Sequence, residues 1–187
     1  ALGNGGTDGI IRNASISGCN FNTISGAGFG AFINTNITNL DFTRCSFNDI
    51  INGSTGVRLS DTISDATFSE CTFDIITGAS TAINGSFAGG EIANLNVLDC
   101  TFTNIVTTRA FNLSFTPGTA TPLDLNISNN IFVGSAASSA AGYGASITVN
   151  SGVACLEFHN NNASPASAPN PYVFTQTGGT FNRTTGS

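Results

Sequence analysis

Apolar and polar residues recur along this chain in one fixed frame. Aligned on a central anchor, its copies read Ile16-Ser-Gly-Cys19-Asn-Phe21, Phe42-Thr-Arg-Cys45-Ser-Phe47, Phe68-Ser-Glu-Cys71-Thr-Phe73 and Val97-Leu-Asp-Cys100-Thr-Phe102. A fifth copy, Ile127-Ser-Asn-Asn130-Ile-Phe132, puts Asn at the anchor, and a weaker sixth reads Phe158-His-Asn-Asn161-Asn-Ala163. Two residues before each copy stands Ala14, Leu40, Ala66, Leu95, Leu125 or Leu156. The anchors are 26, 26, 29, 30 and 31 residues apart, a spacing at which internal repeats stack as a solenoid.

Each copy holds two short alternating pieces. Leu40 and Phe42 share one face of an extended chain, and so do Cys45 and Phe47, but the two pairs are out of phase by one residue. A corner at the polar pair Thr43-Arg44 repairs the phase. A second polar corner follows at Asn22-Thr23, Asn48-Asp49 or Thr103-Asn104, then an apolar Ile24, Ile50, Ile76 or Ile105. Third strands are predicted around Ala31-Phe32-Ile33, Val57-Arg58-Leu59, Ala82-Ile83 and 110–113, with a turn at 52–54 before the second of them. Short strands joined by corners, with no helical period, predict an all-β, right-handed, single-stranded parallel β-helix of about six coils. Stacking places Cys19, Cys45, Cys71 and Cys100 in one inward column and Phe21, Phe47, Phe73, Phe102 and Phe132 in the next.

The ends are less regular. We read 1–187 as a single domain, with 1–9 a glycine-rich lead or N-terminal cap, 10–135 regular coils, and 136–187 irregular terminal coils with a C-terminal cap. Residues 114–122 carry Pro117 and Pro122 and read as a loop. The alanine-rich run within 134–144 also reads as a loop, 143–149 and 172–174 as strands, and the remainder as a Thr/Gly tail. Asn161 and Ala163 fill slots held earlier by Cys and Phe, which marks the sixth coil as terminal.

Composition narrows the function classes. The 15 Phe occur without any Trp or Met, as expected of one aromatic type reused in equivalent slots. Net charge is -6, only 9% of residues are charged, and all five cations are Arg. Such a surface has no footprint for nucleic acid or an anionic bilayer, and no stretch predicts insertion of this chain into a membrane. The five cysteines read as buried thiols acting as small hydrophobes, Cys155 standing in a different register from the other four. A straight ladder does not offer tetrahedral convergence for zinc, and no cofactor or metal is expected.

Outward rows carry the remaining candidates. The residue before the anchor runs Gly18, Arg44, Glu70, Asp99, Asn129, Asn160, and the residue six before it runs Asn13, Asn39, Asp65, Asn94, Asp124. Asn at repeated corners is structurally ordinary, because it tolerates left-handed backbone. Glu70 and Asp99, on neighbouring coils, are the candidate carbohydrate or cation contacts. Of the Asn-x-Ser/Thr triplets, those at Asn52 and Asn84 are predicted in turns and are the candidate glycosylation sites.

The repeated Cys-x-Phe after an inward Ile, Phe or Val, followed by Asn or Asp and Ile, resembles the right-handed pectate-lyase-like β-helix superfamily. Within it the chain is nearest to polymorphic outer-membrane proteins and related autotransporter passengers. That resemblance implies an extracellular or cell-surface, adhesive β-helix. Many proteins of this fold are polysaccharide lyases or hydrolases, and Glu70 with Asp99 meets the spacing of a hydrolase carboxyl pair. No Lys stands beside acids as a lyase base, however, so the expectation is not an enzyme. The favoured role is structural or adhesive, self-assembling end to end into an oligomer or filament, with non-catalytic binding of surface glycans as the alternative.

Overall fold

The computed structural model describes residues 10–34, 36–60, 63–88, 92–106, 108–116, 123–134, 143–150, 153–164, 171–178 and 180–185. Every described element is a strand, and all pairings are parallel between one coil and the next, so the chain is a parallel β-solenoid with three sheets along one axis. The first sheet contains Ile10–Ile11, Ala14–Ser17, Asn36–Thr43, Ile63–Ser69, Ile92–Leu98, Leu123–Ser128, Val153–His159 and Thr180–Thr185. The second runs through Asn20–Phe21, Ser46–Phe47, Thr72–Phe73, Thr101–Ile105, Ile131–Gly134 and Asn162–Ser164. The third comprises Phe29–Asn34, Thr55–Ser60, Thr81–Ala88, Arg109–Thr116, Ala145–Val149 and Tyr172–Gln176.

Register follows the repeat frame. Leu40 pairs with Ala66, Ala66 with Leu95, Leu95 with Leu125 and Leu125 with Leu156, each step one coil up. The phase-repairing corner is one left-handed residue: Gly18, Arg44, Glu70, Asp99, Asn129 and Asn160 all have φ between 51° and 63°. A single residue in that region turns the strand and brings the next inward side chain to the core side. The second corner repeats the device at Thr23, Asp49, Ile75 and Asn104, with φ between 51° and 54°. Ile24, Ile50, Ile76 and Ile105 follow it and are buried.

The core is a set of columns. Phe21, Phe47, Phe73, Phe102 and Phe132 stack face to face with centroids 4.5, 4.7, 4.9 and 5.0 Å apart and planes within 10° of parallel. Phe42 and Phe68 start a second stack at 5.1 Å. Where the third sheet begins, Gly56 is needed for space, since a Cβ there meets the Ala82 carbonyl at 2.7 Å and the Ile50 and Phe73 side chains. The ring column closes at the sixth coil: Ala163 is too small to continue it, and Tyr172 turns edge-on against Phe132 and Phe158, at 5.6 and 4.6 Å. Burial pushes the Tyr172 phenol up.

The structure differs from the sequence reading at the far end. The Thr/Gly tail contains the strand Thr180–Thr185, which pairs with Val153–His159 and adds an outermost row to the first sheet. Its run of Thr with one Phe suits extended backbone. The lead at 1–9, the proline-bearing stretches 117–122 and 165–170, and the alanine-rich stretch 135–142 lie outside the described residues. Among the described residues no helix is long and apolar enough to cross a membrane.

Candidate functional site

The anchor column has one hydrogen-bonding rule. The Cys45 thiol donates to the Ile16 carbonyl at 3.3 Å, Cys71 to Phe42 at 3.4 Å and Cys100 to Phe68 at 3.6 Å. Asn130 Nδ2 donates to Val97 at 2.8 Å and Asn161 Nδ2 to Ile127 at 2.7 Å. In every case the acceptor lies three residues before the anchor of the preceding coil. Asn adds a second bond, because its Oδ1 accepts the backbone N–H of the preceding anchor, Cys100 N to Asn130 at 2.9 Å and Asn130 N to Asn161 at 3.0 Å. The Cys100 sulfur makes the weaker version, accepting from Cys71 N at 3.4 Å. Asn therefore braces the corner from both sides, which explains why it replaces Cys without breaking the frame.

The thiols differ in exposure. Cys45, Cys71 and Cys100 are buried, Cys19 in the first coil is exposed, and Cys155 is half-buried. The expectation of five buried thiols is corrected at two positions. Cys19 has no preceding described coil against its column, and Cys155 faces outward on the first sheet, in register with Asp124 and Asn182. All five are free thiols. Burial pushes the Cys45 thiol up, and the bond to Cys71 together with burial pushes Cys100 up. Cys45 and Cys100 are therefore protonated at neutral pH.

The outer face of the first sheet carries a shallow groove of about 400 Å³ lined by Asp65, Asn94, Asn96, Asp124, Asn126 and Glu157. Two outward rows make it. Asp65, Asn94 and Asp124 are neighbours in one, and Asn96, Asn126 and Glu157 in the other. Asn94 Nδ2 donates to Asp65 Oδ1 at 2.5 Å. Asn126 Oδ1 is buried and accepts no hydrogen bond, so the groove holds an acceptor lacking a donor beside exposed carboxylates. Sequence reasoning named the first row and missed the second. Its signal was the same alternation, read two residues further along each strand.

Glu70 and Asp99 do not join that groove. Both sit exposed at left-handed corners, where their backbone N–H groups donate to Leu98 and Ser128. They occupy the slot that Gly18, Asn129 and Asn160 fill elsewhere, so backbone geometry accounts for their place. Asn52 is exposed in a turn with φ 58°. Asn84 is instead half-buried inside the strand Thr81–Ala88, where it pairs with the Arg58 and Asn112 positions. The expectation of a turn there is corrected: Ile83 and Gly85 are both inside the third sheet's ladder, which carries straight through the Asn-Gly pair.

A polar column inside the wall was also missed. The Ser54 hydroxyl donates to the Ile24 and Ile51 carbonyls, the Ser80 hydroxyl accepts from Gly53 and Ser54 N–H groups, and Thr108 donates to the Ser80 carbonyl. Its signal was a Ser or Thr just before the third strand. These hydroxyls tie successive turns together where the strands change sheet.

The first coil ends in a hollow of about 290 Å³ lined by Phe21, Ile24, Phe29 and Gly30 with the corner residues between them. Beside it Ile11, Ala14, Ile16, Phe21 and Ala31 are only partly buried against the core, and Phe29 is 42% exposed. Asn20–Phe21 and Phe29–Asn34 are terminal strands of their sheets, each paired on one side only. Among the described residues no three side chains of the His, Cys, Asp or Glu type converge to hold a metal ion. Comparison with protein-family models, with curated proteins and with solved structures finds no match to this chain.

Proposed function

We propose that this chain is a structural, adhesive β-solenoid of the extracellular or cell-surface space that joins copies end to end. The observation carrying this reading is the first coil's end face. Its columns run up to Phe21, Ile16 and Ile11 without a closing residue, whereas Tyr172 closes the ring column at the other end. Strands paired on one side present free N–H and C=O groups that another chain can extend. Covering the apolar face adds about 25 cal/mol per Å² of buried apolar area. A head-to-tail contact of this kind does not close and grows as a filament. The resemblance to autotransporter passengers points the same way.

Sedimentation and electron microscopy across a concentration series test it. Wild type is expected to form species larger than 19.0 kDa, and Ser15→Lys with Asn20→Lys, which puts cations on exposed positions of the edge strands, is expected to return it to monomer. A sharp monomer at all concentrations overturns the reading.

A second reading, non-catalytic glycan binding, is favoured by the orphan acceptor at Asn126 in the groove. A polyhydroxylated ligand supplies donors both to that oxygen and to the Asp124 and Glu157 carboxylates. Glycan-array binding that survives in wild type and is lost in Asn126→Leu with Glu157→Gln supports it; no binding by wild type removes it.

A further inference from the structure

The anchor thiols form a line rather than a cluster, and lines of sulfur suit one kind of ion. Cys19, Cys45, Cys71 and Cys100 each direct Sγ to the carbonyl two residues earlier, at 3.6, 3.6, 3.4 and 3.3 Å. Cys45, Cys71 and Cys100 also reach back to the same carbonyl of the coil before. Four side chains with one shared rotamer are related by the coil repeat alone. The neighbouring ring column measures that repeat at 4.5 to 5.0 Å. Two collinear metal–thiolate bonds of about 2.3 Å each span about 4.6 Å, which matches. A linear ion therefore fits between successive sulfurs without moving the backbone.

We infer that Cys19 and Cys45 form a two-coordinate site for a soft monovalent d¹⁰ cation of the Cu(I) class, with Cys71 and Cys100 extending the same line inward. Thiolate sulfur selects Cu(I) over harder ions. The absence of three converging ligands among the described residues excludes tetrahedral zinc there, while two-coordinate binding needs no third. Entry is from the first coil, since Cys19 is exposed and Cys45 is covered. Binding one ion forms two metal–sulfur bonds, breaks two S–H bonds and releases two protons, leaving the site with one negative charge and no change of oxidation state.

The test uses the full reduced chain under anaerobic conditions, titrated with Cu(I) held by a chromophoric chelator, with native mass spectrometry for stoichiometry and a pH-stat for protons. Wild type is expected to compete for at least one Cu(I), release two protons with the first, and leave Zn(II) uncompeted. Cys19→Ser, at an exposed position that leaves the core intact, is expected to weaken the first binding event by at least tenfold. Cys155→Ser is expected to bind as wild type does. Equal affinity in Cys19→Ser and wild type, or a loss found only in Cys155→Ser, overturns the site. So does Zn(II) binding as tightly as Cu(I).

Discussion

At the residue scale the anchor shows how one slot accepts Cys or Asn and nothing that lacks a donor. The carbonyl three residues before each preceding anchor is turned into the corner, and the anchor side chain must donate to it. Cys71→Asn is expected to stay within about 1 kcal/mol of wild type, because it copies the two bonds that Asn130 makes. Cys71→Asp has the same shape but puts a buried carboxyl against that carbonyl, at a cost of about 3 kcal/mol or more. Chemical denaturation of the pair checks this, and equal midpoints would contradict the donor rule. Ile75 is the complementary case: a β-branched residue at φ 54°, 38% exposed, in a slot where the next coil has Asn104. Ile75→Asn is expected to gain about 1 kcal/mol by relieving left-handed strain, read as a melting temperature about 2–4 °C higher.

Among the elements, the ring column is the largest single store of packing. Phe73 lies between Phe47 and Phe102 and is fully buried. Phe73→Ala is therefore expected to cost about 3–5 kcal/mol, whereas the same change at Phe21, stacked on one side only, costs less; thermal melts of the two variants order them. Thiol labelling resolves the neighbouring column in the same way, with Cys19 reacting fastest and Cys45, Cys71 and Cys100 reacting only on unfolding. The columns themselves were legible in sequence because apolar alternation is local. The left-handed corners were legible only as polar pairs, since Arg44, Glu70 and Ile75 conceal a backbone requirement that Gly and Asn announce. The groove on the first sheet was half legible. Asn126 and Glu157 acquire meaning only once register places them beside Asn96, and register comes from coils some thirty residues apart. Asn84 was misplaced because Asn-Gly signals a turn locally, while the ladder on both sides of it holds the chain extended.

Across the whole molecule, backbone bonds between coils, ring stacks and anchor bonds all lie along one direction. From Gly18 N to the Thr43 carbonyl through Asn129 N to the His159 carbonyl, each corner is tied to the coil above it and to no distant element. Stability is then a sum of nearest-neighbour terms. This alignment makes the molecule mechanically anisotropic. Tension applied along the axis loads the bonds of one coil boundary at a time and peels coils singly, whereas force across the axis must shear many boundaries together. Optical-trap pulling from the two ends is expected to give a staircase, each step releasing about 85 Å for a coil of 26 residues. A tether built from such coils lengthens in increments under load and absorbs work without parting.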